Sequence, residues 1–152
     1  MIDPAMRDHL PQSVAHAVGE RCLCLHVQRA ARVLARRFDR ALRPFGLTSG
    51  QFSLMMALNR PVPPLIGDLA PFLGMDRTTL TAALKPLERR GLVAAAADAQ
   101  DRRGRRLRLT ETGADLLARA LPAWRAAHDA LDADLPDQAG LRAGLLRIAA
   151  TG

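Results

Sequence analysis

The stretch "MDRTTLTAALKPLERRGLV" (Met75–Val93) decides the fold of this chain. Gly74 in front of it allows a tight turn, and Asp76 is a favourable residue for capping the start of a helix. Apolar residues then recur three or four positions apart on one helical face: Leu80, Ala83, Leu84 and Leu87. The opposite face is polar or small: Thr78, Ala82, Lys85 and Arg89. The stretch therefore predicts a helix that packs on a core through one face and exposes the other.

The segment "DRRGRRLRLT" (Asp101–Thr110) predicts a β-hairpin after this helix. Apolar and basic side chains alternate in its second half: Leu107 and Leu109 against Arg106 and Arg108. A period of two is typical of a strand with one buried face, so we expect this strand to pair with residues 92–97. Alanine dominates the outgoing strand although it is a weak strand former.

The N-terminal half contains two further helical patterns. Residues 1–18 have no sustained period, so we expect a loose arm there. From position 23, apolar residues three or four apart predict a long amphipathic helix that ends near Pro44. Thr48, followed three residues later by Gln51, is a capping box and predicts that the next helix starts at Thr48.

The remaining helices are marked by prolines. Pro71 predicts that the helix before the Gly74 turn is short or starts late, because proline lacks a backbone donor. After Thr110 a stripe of apolar residues predicts a helix interrupted at Pro122. Pro136 then opens a last helix.

Composition favours a mainly α (α+β) chain that binds a polyanion. Among 152 residues 49% are hydrophobic but only 3% are aromatic, which suits packed helices. The net charge is +7, and Lys85 is the only lysine among 22 basic residues. There is no long apolar run, so we expect a cytoplasmic protein without a membrane segment. No phosphate loop, nucleophile motif or metal-ligand spacing indicates an enzyme, a cofactor or a metal.

The order of these elements predicts a winged helix-turn-helix. In that arrangement the second helix lies in the major groove of double-stranded DNA, and the basic hairpin, the wing, reaches towards the neighbouring minor groove. The prediction is therefore a DNA-binding protein.

The motif "MDRTTLTAALKPLERRGLV" followed by "DRRGRRLRLTETG" resembles the MarR family of bacterial transcriptional regulators. The resemblance implies a winged helix-turn-helix over residues 48–110 within a single unit of residues 1–152. It also implies that residues 20–46 and 111–150 form dimerisation helices of a homodimer that binds a palindromic operator. Family members are often repressors released by a small molecule or by an oxidant.

The resemblance implies a set of DNA-contacting residues. Four match recognition-helix positions that face bases and phosphates: Arg77, Thr78, Thr79 and Thr81. Arg103 matches the wing-tip arginine of the minor groove, and Asp101 matches an acid that braces the wing through an ion pair. Lys85 is expected to meet base edges or phosphates. The remaining arginines of the wing are expected to contact phosphates at most or to be solvated: Arg102, Arg105, Arg106 and Arg108. Ala82 stands where many members have an arginine, so one base contact is lost or replaced by an apolar contact.

Two cysteines, Cys22 and Cys24, lie where family members place an oxidant sensor. If both are helical they point to nearly opposite sides, which disfavours a disulfide between them. Cys24 shares the apolar stripe and is expected to be a small core residue. Cys22, near Arg21 and a helix N-terminus, is the candidate sensor.

Three aromatic side chains are candidates for an effector pocket: His26, Trp124 and His128. Trp124 and His128 fall four residues apart on one helical face, but such residues are more often part of a core. A different hypothesis for the whole chain also stays open at this stage. A winged helix can serve as an architectural protein that binds DNA of any sequence, or as an adaptor for a protein partner.

Overall fold

The computed structural model describes residues 11–101 and 103–151. These residues form seven α-helices and one two-stranded sheet. The elements are α1 (Gln12–Arg21), α2 (Leu23–Leu42), α3 (Ser49–Ala57), α4 (Ile66–Phe72), α5 (Arg77–Arg89), β1 (Val93–Ala97), β2 (Arg105–Leu109), α6 (Glu111–Asp132) and α7 (Gln138–Ala149). A 3-10 turn (Arg43–Phe45) follows α2, and Gly46 ends it with a positive φ of 64°. The mainly α fold with a small hairpin is as predicted.

The chain divides after Leu34 into two compact units. The N-terminal unit contains α1 and the first part of α2. The loose arm predicted for residues 1–18 is wrong over residues 12–18, which are helical; residues 1–10 lie outside the described part of the chain. Pro11 stands at the N-cap, where its missing donor costs nothing, and it therefore permits the helix to start.

The start of α3 is fixed by the predicted capping box. Thr48 Oγ1 accepts a hydrogen bond from the Gln51 backbone nitrogen at 3.1 Å, and Gln51 Oε1 accepts one from the Thr48 nitrogen at 3.1 Å. Leu47 and Phe52, on either side of the cap, are both buried. Asp39 adds a third contact, because its Oδ1 accepts from the Ser49 nitrogen at 2.6 Å.

The core of the second unit lies where α3, α4, α5, α6 and the hairpin meet. Its most deeply buried large side chains are Leu42, Phe52, Met55, Leu69, Leu80, Leu87 and Leu107. The apolar face predicted for α5 supplies Leu80, Leu84 and Leu87, which are all buried. This packing orients α5 so that its other face lies in solvent.

The helix-turn-helix consists of α4, the turn at Gly74 and α5. As predicted, α4 is short and carries Pro71 near its end. Gly74 has φ of 64°, a backbone conformation that a residue with a Cβ rarely adopts. Asp76 then caps α5.

The wing is an antiparallel pair of β1 and β2 whose register joins Val93 to Leu109 and Ala97 to Arg105. Leu107 is buried, and the alternation predicted for β2 is confirmed. A third extended segment lies beside β2: the Leu107 nitrogen donates to the Pro64 carbonyl oxygen at 3.0 Å, and Leu65 pairs with Arg106. The alanine-rich β1 forms because these pairings and the core outweigh its low strand propensity.

The C-terminal helices depart from the prediction in one respect. Helix α6 continues through Pro122, so the predicted interruption is wrong. Core contacts on either side of Pro122 hold the helix together, since Ala120 is fully buried and Trp124 packs against the core. Helix α7 begins at Gln138 with Asp137 as its cap, two residues after the predicted start. No helix in the described part of the chain is long and apolar enough to cross a membrane.

Candidate nucleic-acid interface

The N-terminus of α5 is organised by Asp76. Its Oδ1 accepts from the Thr79 nitrogen at 2.7 Å and its Oδ2 from the Thr79 hydroxyl at 2.8 Å. These hydrogen bonds, the backbone one first, hold the pKa of Asp76 below its ordinary value. The Thr79 hydroxyl proton is therefore committed to the cap, which leaves the hydroxyl oxygen free to accept.

The other polar residues of α5 differ in their availability. Thr81 is half-buried, and its hydroxyl donates to the Arg77 carbonyl oxygen at 2.7 Å, a bond within the helix. Thr78 and Lys85 are exposed, and within the described residues their side chains make no hydrogen bond or ion pair. Thr78 and Lys85 can therefore donate to a ligand without breaking an existing hydrogen bond.

Arg77, the first residue of α5, lies against the start of α4. A Cβ added at Gly67 would stand 3.1 Å from Nη2 of Arg77, so the guanidinium packs directly over this glycine. The absence of a side chain at Gly67 makes room for Arg77. The position of this arginine therefore depends on both helices of the helix-turn-helix.

The tip of the wing is a turn closed by hydrogen bonds from two backbone nitrogens to Asp101. Asp101 Oδ1 accepts from the Arg103 nitrogen at 2.9 Å, and the Asp101 carbonyl oxygen accepts from the Gly104 nitrogen at 2.8 Å. The Arg103 side chain is exposed. Arg102 lies outside the described residues. The ion pair predicted for Asp101 stays a prediction.

A different acid, Asp98, forms the ion pair at the base of the wing. Its Oδ1 accepts from Nε of Arg106 at 2.7 Å, and this bond lowers the pKa of Asp98 although burial opposes the shift. We did not identify this pair from the sequence. The signal that could have found it is the register of the hairpin: Arg106 pairs with Ala96, and Asp98 lies two residues further along, just past the end of β1. Arg106, expected at most to contact phosphate, is instead an internal residue of the wing.

The wing is also tied to α5. Nη2 of Arg105 lies 3.0 Å from Oε1 of Glu88, which joins the start of β2 to the last turn of the recognition helix. Both side chains are partly exposed. Arg105 was predicted to contact phosphate at most. To do so, its guanidinium must either contact the phosphate while it stays paired with Glu88 or break that ion pair.

Three of the predicted arginines surround one groove. The groove lies between the starts of α4 and α5 and the wing and has a volume of about 670 Å³; its basic lining is Arg77, Arg103 and Arg105. Acids also line it, namely Asp68, Asp76 and Asp101. The fold thus brings together cationic side chains of the recognition helix and of the wing that lie far apart in the sequence.

The two cysteines do not occupy equivalent positions. Cys22 separates α1 from α2 in an extended conformation, and its Sγ accepts from the Leu25 nitrogen at 3.4 Å. Cys24 lies in α2, is exposed, and accepts from Nε2 of Gln28 at 3.0 Å. The core position predicted for Cys24 is therefore wrong for the single chain, because the first part of α2 has no buried residue. Both thiols are free.

Trp124 and His128 lie together as their spacing predicted, with ring centroids 4.3 Å apart. Two phenylalanines extend this cluster: Phe38 stands 4.7 Å from His128, and Phe52 stacks 5.8 Å from Trp124. His26 belongs to the N-terminal unit, where Nε2 donates to the Glu20 carbonyl oxygen at 3.2 Å. A ligand role for Trp124, His128 and His26 stays a prediction. The described residues contain no group of three or more potential metal ligands.

The fold and this interface define a winged helix-turn-helix protein. The MarR family model matches residues 47–104, which include α3, α4, α5 and β1 and end just before β2. The chain is 37% identical to the Mycobacterium tuberculosis transcriptional regulator MosR in complex with DNA, with 86% of this chain and 96% of that chain covered and a TM-score of 0.80. The chain belongs to the MarR family.

Two further relatives are transcriptional regulators. The chain is 35% identical to the transcriptional activatory protein BadR of Rhodopseudomonas palustris over 60% of this chain and 54% of BadR, so the match spans about half of that relative. The repressor CouR bound to a 23-mer DNA duplex is 30% identical over 88% of this chain and 94% of CouR, with a TM-score of 0.71. CouR from Rhodococcus jostii bound to p-coumaroyl-CoA is 26% identical over 86% and 93%, with a TM-score of 0.73.

Proposed function

We propose that the chain is a cytoplasmic, sequence-specific DNA-binding regulator that acts as a homodimer on a palindromic operator. The observation that carries this proposal is the groove shared by α5 and the wing, in which Arg77 and Arg103 present guanidinium groups on two separate elements. Cations on a recognition helix and on a wing suit adjacent major and minor grooves. The structure of the related MosR is a complex with DNA, which supports the same activity here.

The hydrogen bonds that each side chain already makes within the chain determine the role that we propose for it on DNA. Arg77, Thr78 and Lys85 donate to base edges or phosphates in the major groove. The hydroxyls of Thr79 and Thr81 act as acceptors, since their protons are used within the helix. In the wing, Arg103 enters the minor groove, while Arg102 and Arg105 contact phosphates. Asp101 holds the turn that carries Arg103.

The homodimer is supported by apolar side chains that the single chain leaves in solvent. In the N-terminal unit these are Val14, Val18, Leu23, Leu25, Val27 and Val33. On α7, which has no buried residue, they are Leu141, Leu145, Leu146 and Ile148. Exposed stripes of this kind are typical of helices that pack in a symmetric interface. Sedimentation of the purified chain tests the dimer, and a monomer at micromolar concentration would contradict it.

Operator binding is tested by Arg103→Ala, with Arg108→Ala as the matched control. Both changes remove one exposed arginine from the wing region, but Arg108 is not among the residues that line the groove between α5 and the wing. We expect Arg103→Ala to weaken operator binding by about 1 to 3 kcal/mol, and Arg108→Ala to weaken it less. Equal losses in the two variants would remove Arg103 from the proposed minor-groove contact.

Sequence specificity is tested by competition. A regulator keeps its preference for a palindrome from its own promoter region over scrambled DNA at physiological salt. Equal binding of both DNAs, with a steep salt dependence, would instead identify an architectural DNA-binding protein. Absence of DNA binding altogether would favour an adaptor that uses the winged helix for a protein partner.

Control by a small aromatic effector is proposed for the Trp124–His128 cluster, with His26 as a further candidate. The relative CouR was solved with p-coumaroyl-CoA, an aromatic acyl compound. Trp124 is the only tryptophan of the chain, so its fluorescence reports directly on this cluster. Aromatic carboxylic acids and their thioesters should change Trp124 emission at the concentration that releases DNA. Release without any change in emission would place the effector elsewhere.

Oxidation of Cys22 is the second proposed form of control, with Cys24 as the neighbouring thiol. Cys22 Sγ lies at the start of α2, where it accepts a hydrogen bond from the Leu25 backbone nitrogen at 3.4 Å. Peroxide should release DNA from the wild type but not from Cys22→Ser. Equal release from both proteins would leave Cys22 structural. Release of DNA by either signal makes the regulator a repressor where the operator overlaps a promoter.

A further inference from the structure

We infer that Asp98 and Arg106 form a positioning clamp that sets the orientation of the wing relative to the helix-turn-helix. This inference rests on the proposed function, because the wing residue that the clamp serves is Arg103. Neither clamp residue is a DNA contact. Their effect on DNA binding passes through the geometry of the turn between them.

Arg106 links three segments of the chain. Its Nε donates to Oδ1 of Asp98 at 2.7 Å, at the end of β1. Its Nη1 donates to the Pro63 carbonyl oxygen at 2.9 Å, in the extended segment that precedes α4. The backbone supports the same junction, since Leu65 pairs with Arg106. One guanidinium on β2 therefore joins the other strand of the wing to the entry of the first helix of the helix-turn-helix.

Burial makes this link strong. Asp98 has only 7% of its surface exposed, and it is the one charged side chain among the buried residues of the described chain. A buried carboxylate is costly unless it is paired and hydrogen-bonded, and Arg106 provides both. No buried polar side-chain atom in the described residues lacks a partner, so the clamp is complete as it stands.

The clamp lies directly at the base of the tip. The Asp98 nitrogen donates to the Gly104 carbonyl oxygen at 2.9 Å, which closes the turn that holds Arg103. A Cβ added at Gly104 would stand 3.2 Å from Cδ2 of Leu65 and 3.4 Å from Cβ of Asp98. The tip is thus packed between Asp98 and the residue that caps α4. A displacement of Asp98 must move Arg103 relative to the recognition helix.

The direction in which removal of Asp98 changes the affinity for operator DNA distinguishes a positioning role from a purely electrostatic one. Asp98 is an acid in a basic, DNA-facing element, so its removal should tighten DNA binding if charge alone matters. The clamp predicts the opposite, because Arg106 loses its partner and the tip loses its fixed position. Asp98→Ala should therefore weaken operator binding roughly 10-fold, within the range expected for loss of one wing contact.

A double-mutant cycle tests the route of the effect. Operator affinities of the full chain are measured for the wild type, Asp98→Ala, Arg103→Ala and the double variant. If the clamp acts through Arg103, Asp98→Ala should change affinity by less than about 2-fold once Arg103 is absent. Asp115→Ala, which removes an exposed acid from α6, is the charge control and should not weaken binding.

The clamp is overturned if Asp98→Ala binds the operator as tightly as the wild type or more tightly, or if its loss adds in full to that of Arg103→Ala. Failure of the proposed function is distinct, since it is seen in the wild type as equal affinity for operator and scrambled DNA. Arg106→Lys provides a second route should Asp98→Ala fold poorly, judged by its melting temperature. Lysine keeps the charge but cannot bridge two acceptors in the same way, so the same non-additivity with Arg103→Ala is expected.

Discussion

The Thr110 hydroxyl donates a hydrogen bond to the Gly91 carbonyl oxygen at 2.6 Å, which joins the residue that follows the wing to the turn between α5 and β1. The Thr110 nitrogen reinforces this contact by donating to the Leu92 carbonyl oxygen at 3.1 Å. Thr110 Oγ1 also caps α6, because it accepts from the Gly113 nitrogen at 3.0 Å. One threonine therefore sets the positions of α5, the wing and α6 relative to one another.

The same junction predicts a large cost for Gly113→Ala. A Cβ at Gly113 would collide with the Leu92 carbonyl oxygen, which is backbone and cannot turn away. We expect the free energy of unfolding to fall by about 1 to 3 kcal/mol, as is typical of overpacking in a close-packed region. Urea unfolding followed by circular dichroism measures the loss.

Gly50→Ala is the matched control for this change. Gly50 is an exposed helical glycine of α3, and the nearest atom to an added Cβ is Thr48 Oγ1 at 4.0 Å, an ordinary contact. Alanine there should leave stability unchanged or raise it by up to about 1 kcal/mol through helix propensity. Equal destabilisation by both substitutions would mean that the Gly113–Leu92 approach is not the cause.

Most of the winged helix could be predicted because its signals are local. Thr48 and Asp76 mark helix starts, because each side chain accepts a hydrogen bond from the backbone nitrogen three residues later. The alternation in β2 likewise needs only the neighbouring residues. These features survive folding because the core agrees with them, as the complete burial of Leu107 demonstrates.

What the sequence did not predict depends on distant contacts. Helix α6 continues through Pro122 because its flanks pack on residues far away in sequence. The pairing of Asp98 with Arg106 requires the register of the hairpin. The other hydrogen-bond acceptor of the Arg106 side chain, the Pro63 carbonyl oxygen, lies 43 residues away in the sequence. Arg77 is held over Gly67 by the angle between two helices. None of these relations leaves a periodic or short-range pattern.

Acidification should unfold the protein partly through Asp76 and Asp98. Folding lowers the pKa of both carboxyl groups, whereas an aspartate in the unfolded chain has a pKa of about 3.9. Their contribution to stability is therefore complete above about pH 4 and is lost as the pH falls through the lower folded values. Urea unfolding of wild type and Asp98→Asn from neutral pH to about pH 3 measures this contribution.

The quantity to compare is the free energy of unfolding of the wild type and of Asp98→Asn at each pH. The asparagine side chain of the Asp98→Asn variant cannot titrate, so the stability difference between the proteins should stay constant at neutral pH and shrink below about pH 4. A difference that stays constant down to the lowest pH would show that ionisation of Asp98 does not stabilise the fold. Asp76→Asn, which keeps an acceptor for the Thr79 nitrogen, gives the corresponding measurement at the helix cap.

Glu88→Gln should strengthen DNA binding. The change releases Arg105 from its ion pair at 3.0 Å and removes a negative charge from the last turn of the recognition helix. Because both side chains are partly exposed, the pair is worth at most about 1 kcal/mol to the fold. We expect affinity for operator and scrambled DNA alike to rise, and fluorescence anisotropy measures both. Weaker binding would instead show that Glu88 holds Arg105 in its contact position.

Arg105→Ala supplies the reference for this effect. In that background Glu88 has no guanidinium to hold, so Glu88→Gln should gain less affinity than it does in the wild type. The part of the gain that persists measures the long-range charge of Glu88. An identical gain in both backgrounds would exclude the release of Arg105 as its cause.

Lys85 allows the proposed orientation of α5 to be tested by chemical labelling. It is the only lysine of the chain and is exposed on the outer face of α5. Amine-selective acetylation followed by trypsin yields one peptide for this site, residues 78–89, because Pro86 prevents cleavage after Lys85. The labelling rate of this peptide is normalised to that of a lysine peptide added as internal standard. If α5 lies in the major groove, operator DNA should lower this rate in proportion to the fraction of protein bound. Scrambled DNA at physiological salt should protect it less. If Lys85 is labelled in fully bound protein as fast as in free protein, another face of the winged helix must contact the DNA.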